Sequence, residues 1–338
     1  MAEDGAERGG VDLWALSDLA TPWCLRVVAT LRIADHVAAG TTHAEDLAQE
    51  SGVDSDSLAR VLRHLVGRGV FEEPSPGHFA LNPAALALTD DHPSGVRLGL
   101  DLEGIGGRMA HPWASLLTSV RTGRPAYEEV FGRPFWDDLA AHPKIAASFD
   151  AMMGPAGHGI PDPDVLVTAG WGSVRSVVDV GGGTGTLLAE ILRARPGVRG
   201  TLVDLPRTVA RAGETFAAAG VADRVTTVGQ SFFDPLPAGA DLYLLKSVLA
   251  DWPDPEAREI LRRCAEAARP AGRVVVLNGV WPDSEAGAAS PALLMMVLLG
   301  GRDRSLAEFR QLARDAGLEV AAADRQPSGR FVVECCPV

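Results

Sequence analysis

The chain has 338 residues, 46% of them hydrophobic, and a formal net charge of -13. That is enough apolar material for two domains, or for one domain with a large helical extension, and it excludes a disordered chain. So acidic a balance opposes binding to nucleic acid or to an anionic lipid surface, because polyphosphate is repelled at long range, and small molecules are the expected partners.

The first residues, MAEDGAERGG, are acidic and polar where a secretory signal is basic and then apolar. The longest apolar run, ALLMMVLL, is too short to span a bilayer, so a soluble cytoplasmic protein without membrane contact is expected. Cys24, Cys264, Cys335 and Cys336 lack C-x-x-C spacing and suit a reducing compartment. No metal is expected, since all eight histidines precede residue 160 and the second half of the chain has no imidazole to offer.

From Leu13 to Ala38 apolar residues recur at helical spacing, with an interruption expected near Pro22. A stripe this apolar needs a partner surface, either the rest of the chain or a second subunit. Residues 43 to 82 read as helix, turn at Gly52, helix and short hairpin, which is a winged helix-turn-helix. A DNA-binding role is opposed by Asp54-Ser55-Asp56-Ser57, which opens the second helix with carboxylates where phosphates would dock. Residues 93 to 160 are mostly helical by pattern, and RTGRPAYEEVFGRPFW reads as a structured loop.

Beyond Pro161-Asp162-Pro163 short Val/Leu runs alternate with helical segments, which predicts a parallel sheet with crossover helices. The strand candidates are 176–180, 200–205, 225–229, 241–246 and 273–280, followed by EVAAAD and RFVVEC. The link RQPSGR between the last two is too short for a crossover, so an open, doubly wound sheet with an antiparallel end strand is predicted. After the fourth strand, ADWPD turns into a helix that Asp254 is placed to cap, with Pro255 suited to its first position.

The run SVVDVGGGTGTLL puts Asp179 near the end of the first sheet strand, followed by Gly181, Gly182, Gly183 and Gly185 in the turn. Such a turn lets a ligand lie against bare backbone. The spacing is neither G-x-G-x-x-G nor a P-loop. In LVDLP, Asp204 stands where a carboxylate can accept both hydroxyl protons of a ribose, with Leu205 next to it; Ser231 and Phe232 in the third turn offer a hydroxyl and an aromatic face for adenine. Together they describe a nucleoside site without a pyrophosphate.

VVDVGGGTGTLLAEILRARPGVRGTLVDLP, then GQSFFDPLPAGADLYLLKSVL before DWPD, then GGRDRS and EF, resemble the S-adenosylmethionine-dependent small-molecule O-methyltransferases of bacterial secondary metabolism and of plants. The resemblance covers nearly the whole chain. It implies an α/β class I methyltransferase fold, with a doubly wound, mostly parallel seven-stranded sheet, and an N-terminal mainly helical winged-helix dimerisation domain. It divides the chain into a dimerisation domain (1–95), a helical linker and substrate lid (96–165) and an S-adenosylmethionine-binding domain (166–338). It also implies a homodimer and a product S-adenosyl-L-homocysteine. By position it assigns Gly181, Gly183 and their neighbours to the methionine part of the cofactor, Asp204 to the ribose, Ser231 and Phe232 to the adenine, and Asp179, Gly182, Leu205 and Lys246 to cofactor contacts.

Where the family carries H-D-W, with the histidine as general base, this chain has Ala250-Asp251-Trp252. Asn278 stands in place of a common Glu and Ala292 in place of a common Asp. Three readings follow: O-methylation by proximity and orientation alone; C-methylation of an activated ring or keto acid; or a cofactor-binding protein with a non-methylating role. A winged-helix regulator is a fourth. The candidate replacement acid-base groups are Asp251, His158, His111 and Asp150. Met152, Met153, Trp252, Asn278, Met295 and Met296 are the candidate lining of an apolar substrate pocket.

Overall fold

The structure, a computed structural model, describes residues 11–154, 161–168, 170–285 and 291–338. The chain divides into two compact units, one ending at Gly107 and one running from Arg108 to Val338. The predicted helical segment 96–165 falls on both sides of that division.

In the first unit, helices span Leu13–Leu16, Ala20–Thr30 and Ile33–Ala38. The interruption expected at Pro22 is not there. Pro22 lies in the first turn of Ala20–Thr30, where a missing N–H leaves no intrahelical bond unmade. The breaks fall at residues 17–19 and at Arg32, whose φ is 54°. The winged helix-turn-helix follows as Ala44–Ser51, Gly52 in the left-handed region, Ser55–Val66, and an antiparallel hairpin of β1 (Glu72–Ser75) and β2 (His78–Ala80). Asp54 caps the second helix by accepting the Ser57 N–H at 2.8 Å. Leu47, Leu62, Leu65, Phe71 and Phe79 close the core of this unit, whereas Leu13, Trp14, Leu16 and Leu19 stay exposed.

The second unit opens with helices. The stretch predicted as a loop holds a helix, Tyr127–Phe131, between Gly123 and Gly132, whose left-handed backbones end Leu116–Thr122 and Tyr127–Phe131. Tyr127 is fully buried and donates from its hydroxyl to Asp138 at 2.7 Å, where Arg108 Nε also donates at 2.7 Å. Helices Phe135–Ala141 and Pro143–Met153 continue from there.

The sheet has seven strands: β3 (Ser176–Val180), β4 (Arg199–Asp204), β5 (Val225–Gly229), β6 (Leu242–Lys246), β7 (Arg273–Leu277), β10 (Leu318–Arg325) and β11 (Phe331–Pro337). A separate short parallel pair joins β8 (Val280–Trp281) to β9 (Arg304–Ser305). The strand order is β10-β11-β7-β6-β3-β4-β5. The central strands are apolar on both faces, as helices on either side require.

The antiparallel strand is not at the end of the sheet. β11 pairs antiparallel with both β7 and β10, so it is inserted between them and β10 forms the edge. The physical reason is burial: β11 carries Val332, Val333 and Cys335, all fully buried, and so takes the covered position, whereas β10 beyond Leu318 is half-buried or exposed. Buried Glu334 on β11 accepts the N–H groups of Val167 (2.6 Å) and Thr168 (2.9 Å) and meets Arg273 at 3.1 Å, which ties the segment entering β3 to the sheet.

Candidate active site

From β3 the chain steps to β4 and β5 on one side, and the next two strands, β6 and β7, lie on the other. Such a switch point leaves a crevice at the carboxyl ends of the strands. A cavity of about 630 Å³ opens there, walled by the turns that follow β3 to β7 and by the helices before β3.

The turn after β3 places Gly181 (φ 70°) and Gly183 (φ 62°) in the left-handed region, which only glycine enters without strain. An added Cβ on Gly183 meets nothing within 4 Å, so the backbone there is bare. Gly182 lies on Asp179: a Cβ on it would stand 2.4 Å from Asp179 Oδ2. Asp179 is 1% exposed, and among the described residues neither of its oxygens has a hydrogen-bond partner. Desolvation pushes its pKa up to about 7; Lys246 opposes the shift and Asp204 adds to it.

At the end of β4, Asp204 accepts the Gly183 N–H at 2.8 Å on Oδ2 and the Leu205 N–H at 2.7 Å on Oδ1. Each oxygen keeps lone-pair capacity toward the cavity. Burial raises its pKa, against the pull of these hydrogen bonds. Ser231 and Phe232 line the same wall, and the Ser231 hydroxyl accepts the Phe233 N–H at 3.2 Å. Lys246 lines the cavity as well, with its pKa lowered by burial. All nine residues expected to contact a cofactor, Asp179, Gly181, Gly182, Gly183, Asp204, Leu205, Ser231, Phe232 and Lys246, are thus brought to one cavity.

The turn after β6 is a short 3-10 helix, Leu249–Asp251. Asp251 is on the cavity wall, and burial pushes its pKa up to about 8. Trp252 sets its ring edge-on against Phe232 (5.9 Å) and Phe233 (5.0 Å). Asp254 does not cap the helix Asp254–Ala268; Pro253 holds the cap position, and the Asp254 carboxylate instead receives Arg302 (3.0 Å) and Arg304 (3.0 Å). Ser247 (φ 56°) and Asn278 (φ 66°) both line the cavity, and Asn278 Nδ2 donates to Ser247 Oγ at 2.8 Å. Two left-handed non-glycine residues at neighbouring strand ends are a form of strain that collects at functional sites.

Asp150 and Met153 reach the wall from helix Pro143–Met153, and Asp150 is paired with Arg211 at 2.6 Å. Its pKa is raised by burial, against the pull of Arg211. Among the described residues, Ala250, His111, Met152, Met295 and Met296 are not on the wall, and His158 lies outside the described residues. Met153, Trp252 and Asn278 are the members of the expected substrate lining that do reach it. Sequence reasoning missed Trp136, Phe149, Ser247, Arg207 and Arg330. Trp136 and Phe149 pack edge-on at 5.6 Å from neighbouring helices, a pairing that no spacing within one helix shows, and the first fell in a stretch read as loop.

Known proteins share this architecture. The O-methyltransferase domain matches residues 113–319, and the O-methyltransferase dimerisation domain matches residues 14–91. The 2,7-dihydroxy-5-methyl-1-naphthoate 7-O-methyltransferase of Streptomyces carzinostaticus is 44% identical over 94% of this chain and 96% of its own length. Aclacinomycin 10-hydroxylase RdmB of Streptomyces purpurascens is 42% identical over 91% of this chain and 83% of its own. A crystal structure of the O-methyltransferase NcsB1 from neocarzinostatin biosynthesis, in complex with S-adenosylmethionine and 2-hydroxy-5-methyl naphthoic acid, superposes with a TM-score of 0.90 at 42% identity, covering 98% of this chain and 100% of that one. The cavity at the switch point, the glycine turn above Asp179 and these matches agree, and the chain belongs to the O-methyltransferase family whose members carry an N-terminal dimerisation domain.

Proposed function

We propose that the protein methylates a hydroxyl group of a small aromatic natural-product intermediate, with S-adenosylmethionine as methyl donor. The supporting observation is the division of one cavity between two kinds of wall. Bare backbone at Gly183, the Asp204 carboxylate and the Phe232 ring form one; Trp136, Phe149 and Trp252 form the other. The residues fit the cofactor. Asp179, buried and without a hydrogen-bond partner among the described residues, suits a cationic group close by; Asp204 has the acceptor capacity a ribose diol needs; and Phe232 offers adenine a face. Bound there, the sulfonium supplies an electrophilic methyl carbon.

The chain's own residues orient the acceptor and handle its proton. The aromatic wall holds a planar ring and excludes water, which supplies catalysis through proximity in the absence of an imidazole at Ala250. Asp251 is assigned as the group that accepts the hydroxyl proton. Its raised pKa, about 8, makes it a stronger base than an ordinary carboxylate once it is ionised. The Asn278 and Ser247 pair holds the neighbouring strand end in a fixed geometry.

The protein is proposed to work as a homodimer in the cytoplasm. A dimerisation domain and the exposed Leu13, Trp14, Leu16 and Leu19 support the first, and four free cysteines the second. Titration calorimetry with S-adenosylhomocysteine, followed by turnover of methyl-labelled donor with hydroxylated naphthoic acids, tests the function. Binding and a new methoxy group are expected. No uptake of the nucleoside at millimolar concentration would remove the proposal; a product with a new hydroxyl instead would align the protein with its hydroxylase relative.

A further inference from the structure

Arg304 is 1% exposed, an unusual place for a guanidinium, and its donors are occupied. Nη1 donates to the Leu249 carbonyl at 2.8 Å and the Arg302 carbonyl at 3.3 Å; Nη2 donates to the Trp252 carbonyl at 2.8 Å; Nε donates to Asp254 Oδ1 at 3.0 Å. Two of these acceptors bracket Ala250 and Asp251. A third, Asp254, begins the helix that follows and supplies the charge that offsets the buried cation.

Two glycines press on the same turn. A Cβ on Gly301 would stand 2.1 Å from the Ala250 carbonyl oxygen, and one on Gly279 would stand 2.9 Å from Ala250 Cβ. The turn therefore has no room to shift toward either strand end. Its outward products are the Asp251 carboxyl, which lines the cavity and receives no hydrogen bond from the described residues, and the Trp252 ring against Phe232 and Phe233. A lysine at 304 would supply a point charge but not the planar fork that spans two carbonyls and a carboxylate.

We propose that Arg304 is a positioning residue of the methyl-transfer reaction, clamping the Leu249–Trp252 turn so that the Asp251 carboxyl and the Trp252 ring stand at fixed places in the cavity. Arg304 touches neither cavity nor ligand and acts through the turn. This rests on the assignment of Asp251 made above.

The test is a double-mutant cycle on the intact protein, read as kcat, as the dissociation constant for S-adenosylhomocysteine and as the thermal midpoint. Arg304→Lys is expected to lower kcat by about tenfold to a hundredfold, the loss that goes with a misplacement of about 1 Å, while the nucleoside affinity stays within about twofold. Combined with Asp251→Asn, Arg304→Lys is expected to cost little further kcat, because coupled residues lose one function once. If Asp251→Asn lowers kcat and Arg304→Lys multiplies that loss in full, Arg304 acts independently of Asp251 and the proposal is overturned. If Asp251→Asn alone leaves kcat unchanged, the assignment of Asp251 fails, and the clamp's catalytic role with it. Should Arg304→Lys yield too little folded protein, Gly301→Ala displaces the same turn from its other side and is expected to show the same split between kcat and affinity and the same coupling to Asp251; additive loss there overturns the proposal equally.

Discussion

In the role proposed for it, Asp251 would link the protein's chemistry to its stability. An unfolded aspartate titrates near 3.8, whereas in the fold burial holds this one at about 8. Between those values the folded state keeps a proton that the unfolded state has lost. The stability this group contributes is therefore fully present below pH 3.8 and is lost as pH rises through about 8. Asp251→Asn cannot ionise, so its thermal midpoint should gain on that of wild type as pH rises across this window. Asp179, raised to about 7, slopes the same way but is common to both proteins. The substitution should also lower kcat by about a hundredfold and abolish the rise in rate through pH 8. Parallel melting curves for the two proteins at every pH would refute the burial argument. At this scale the sequence was partly legible. Resemblance to the family's H-D-W turn marked Ala250 as standing where that family has its histidine, yet the shift at Asp251 comes from burial, which no spacing encodes. Arg304 stood within a quoted motif without a role, because its acceptors are carbonyls more than 50 residues earlier in the chain.

The glycine turn after β3 makes a prediction about an element. Gly182→Ala places a methyl 2.4 Å from Asp179 Oδ2 and 2.6 Å from Leu202 Cδ1, both buried beneath the turn. Overpacking of this kind costs about 1 to 3 kcal/mol, and the displaced turn should lose its affinity for S-adenosylhomocysteine. Gly183→Ala meets open space, so its cost is conformational, about 1 kcal/mol, and its stability should fall less. Thermal melts and calorimetry separate the two; equal behaviour would mean that Asp179 does not support the turn. β3 and β5 were legible to the residue, β3 as a buried, mostly apolar run and β5 as a short Val/Thr run that is half-buried or exposed at the sheet edge. The place of β11 was not. A short link shows that two strands run opposite ways, but only the burial of Val332, Val333 and Cys335 against β7 decides which of them is inserted. Similarly, RTGRPAYEEVFGRPFW has a loop's composition, and its helix forms because Tyr127 finds Asp138.

For the whole molecule, the N-terminal stripe was legible as apolar and short of a partner. Trp14 is 88% exposed, with Leu13, Leu16 and Leu19 beside it in sequence, and covering such a stripe with a second copy removes apolar surface from water. Sedimentation equilibrium should find wild type dimeric at micromolar concentration and Trp14→Glu shifted toward monomer, by about 2 kcal/mol of association free energy for the lost aromatic burial. A wild-type monomer would show that the stripe serves another purpose. Among the described residues, no helix is long and apolar enough to cross a membrane.

The paired left-handed backbones of Ser247 and Asn278 bear on how durable such a protein can be. Each residue holds a sparsely populated conformation, the two are joined by a hydrogen bond, and the Ser247 N–H donates to the Leu277 carbonyl of the neighbouring strand at 2.9 Å. If the two residues serve the cavity they line, endurance to heat and speed of turnover would draw on the same few atoms. Selection for a hardier enzyme would relax these two kinks first, and would give up some of its rate in doing so.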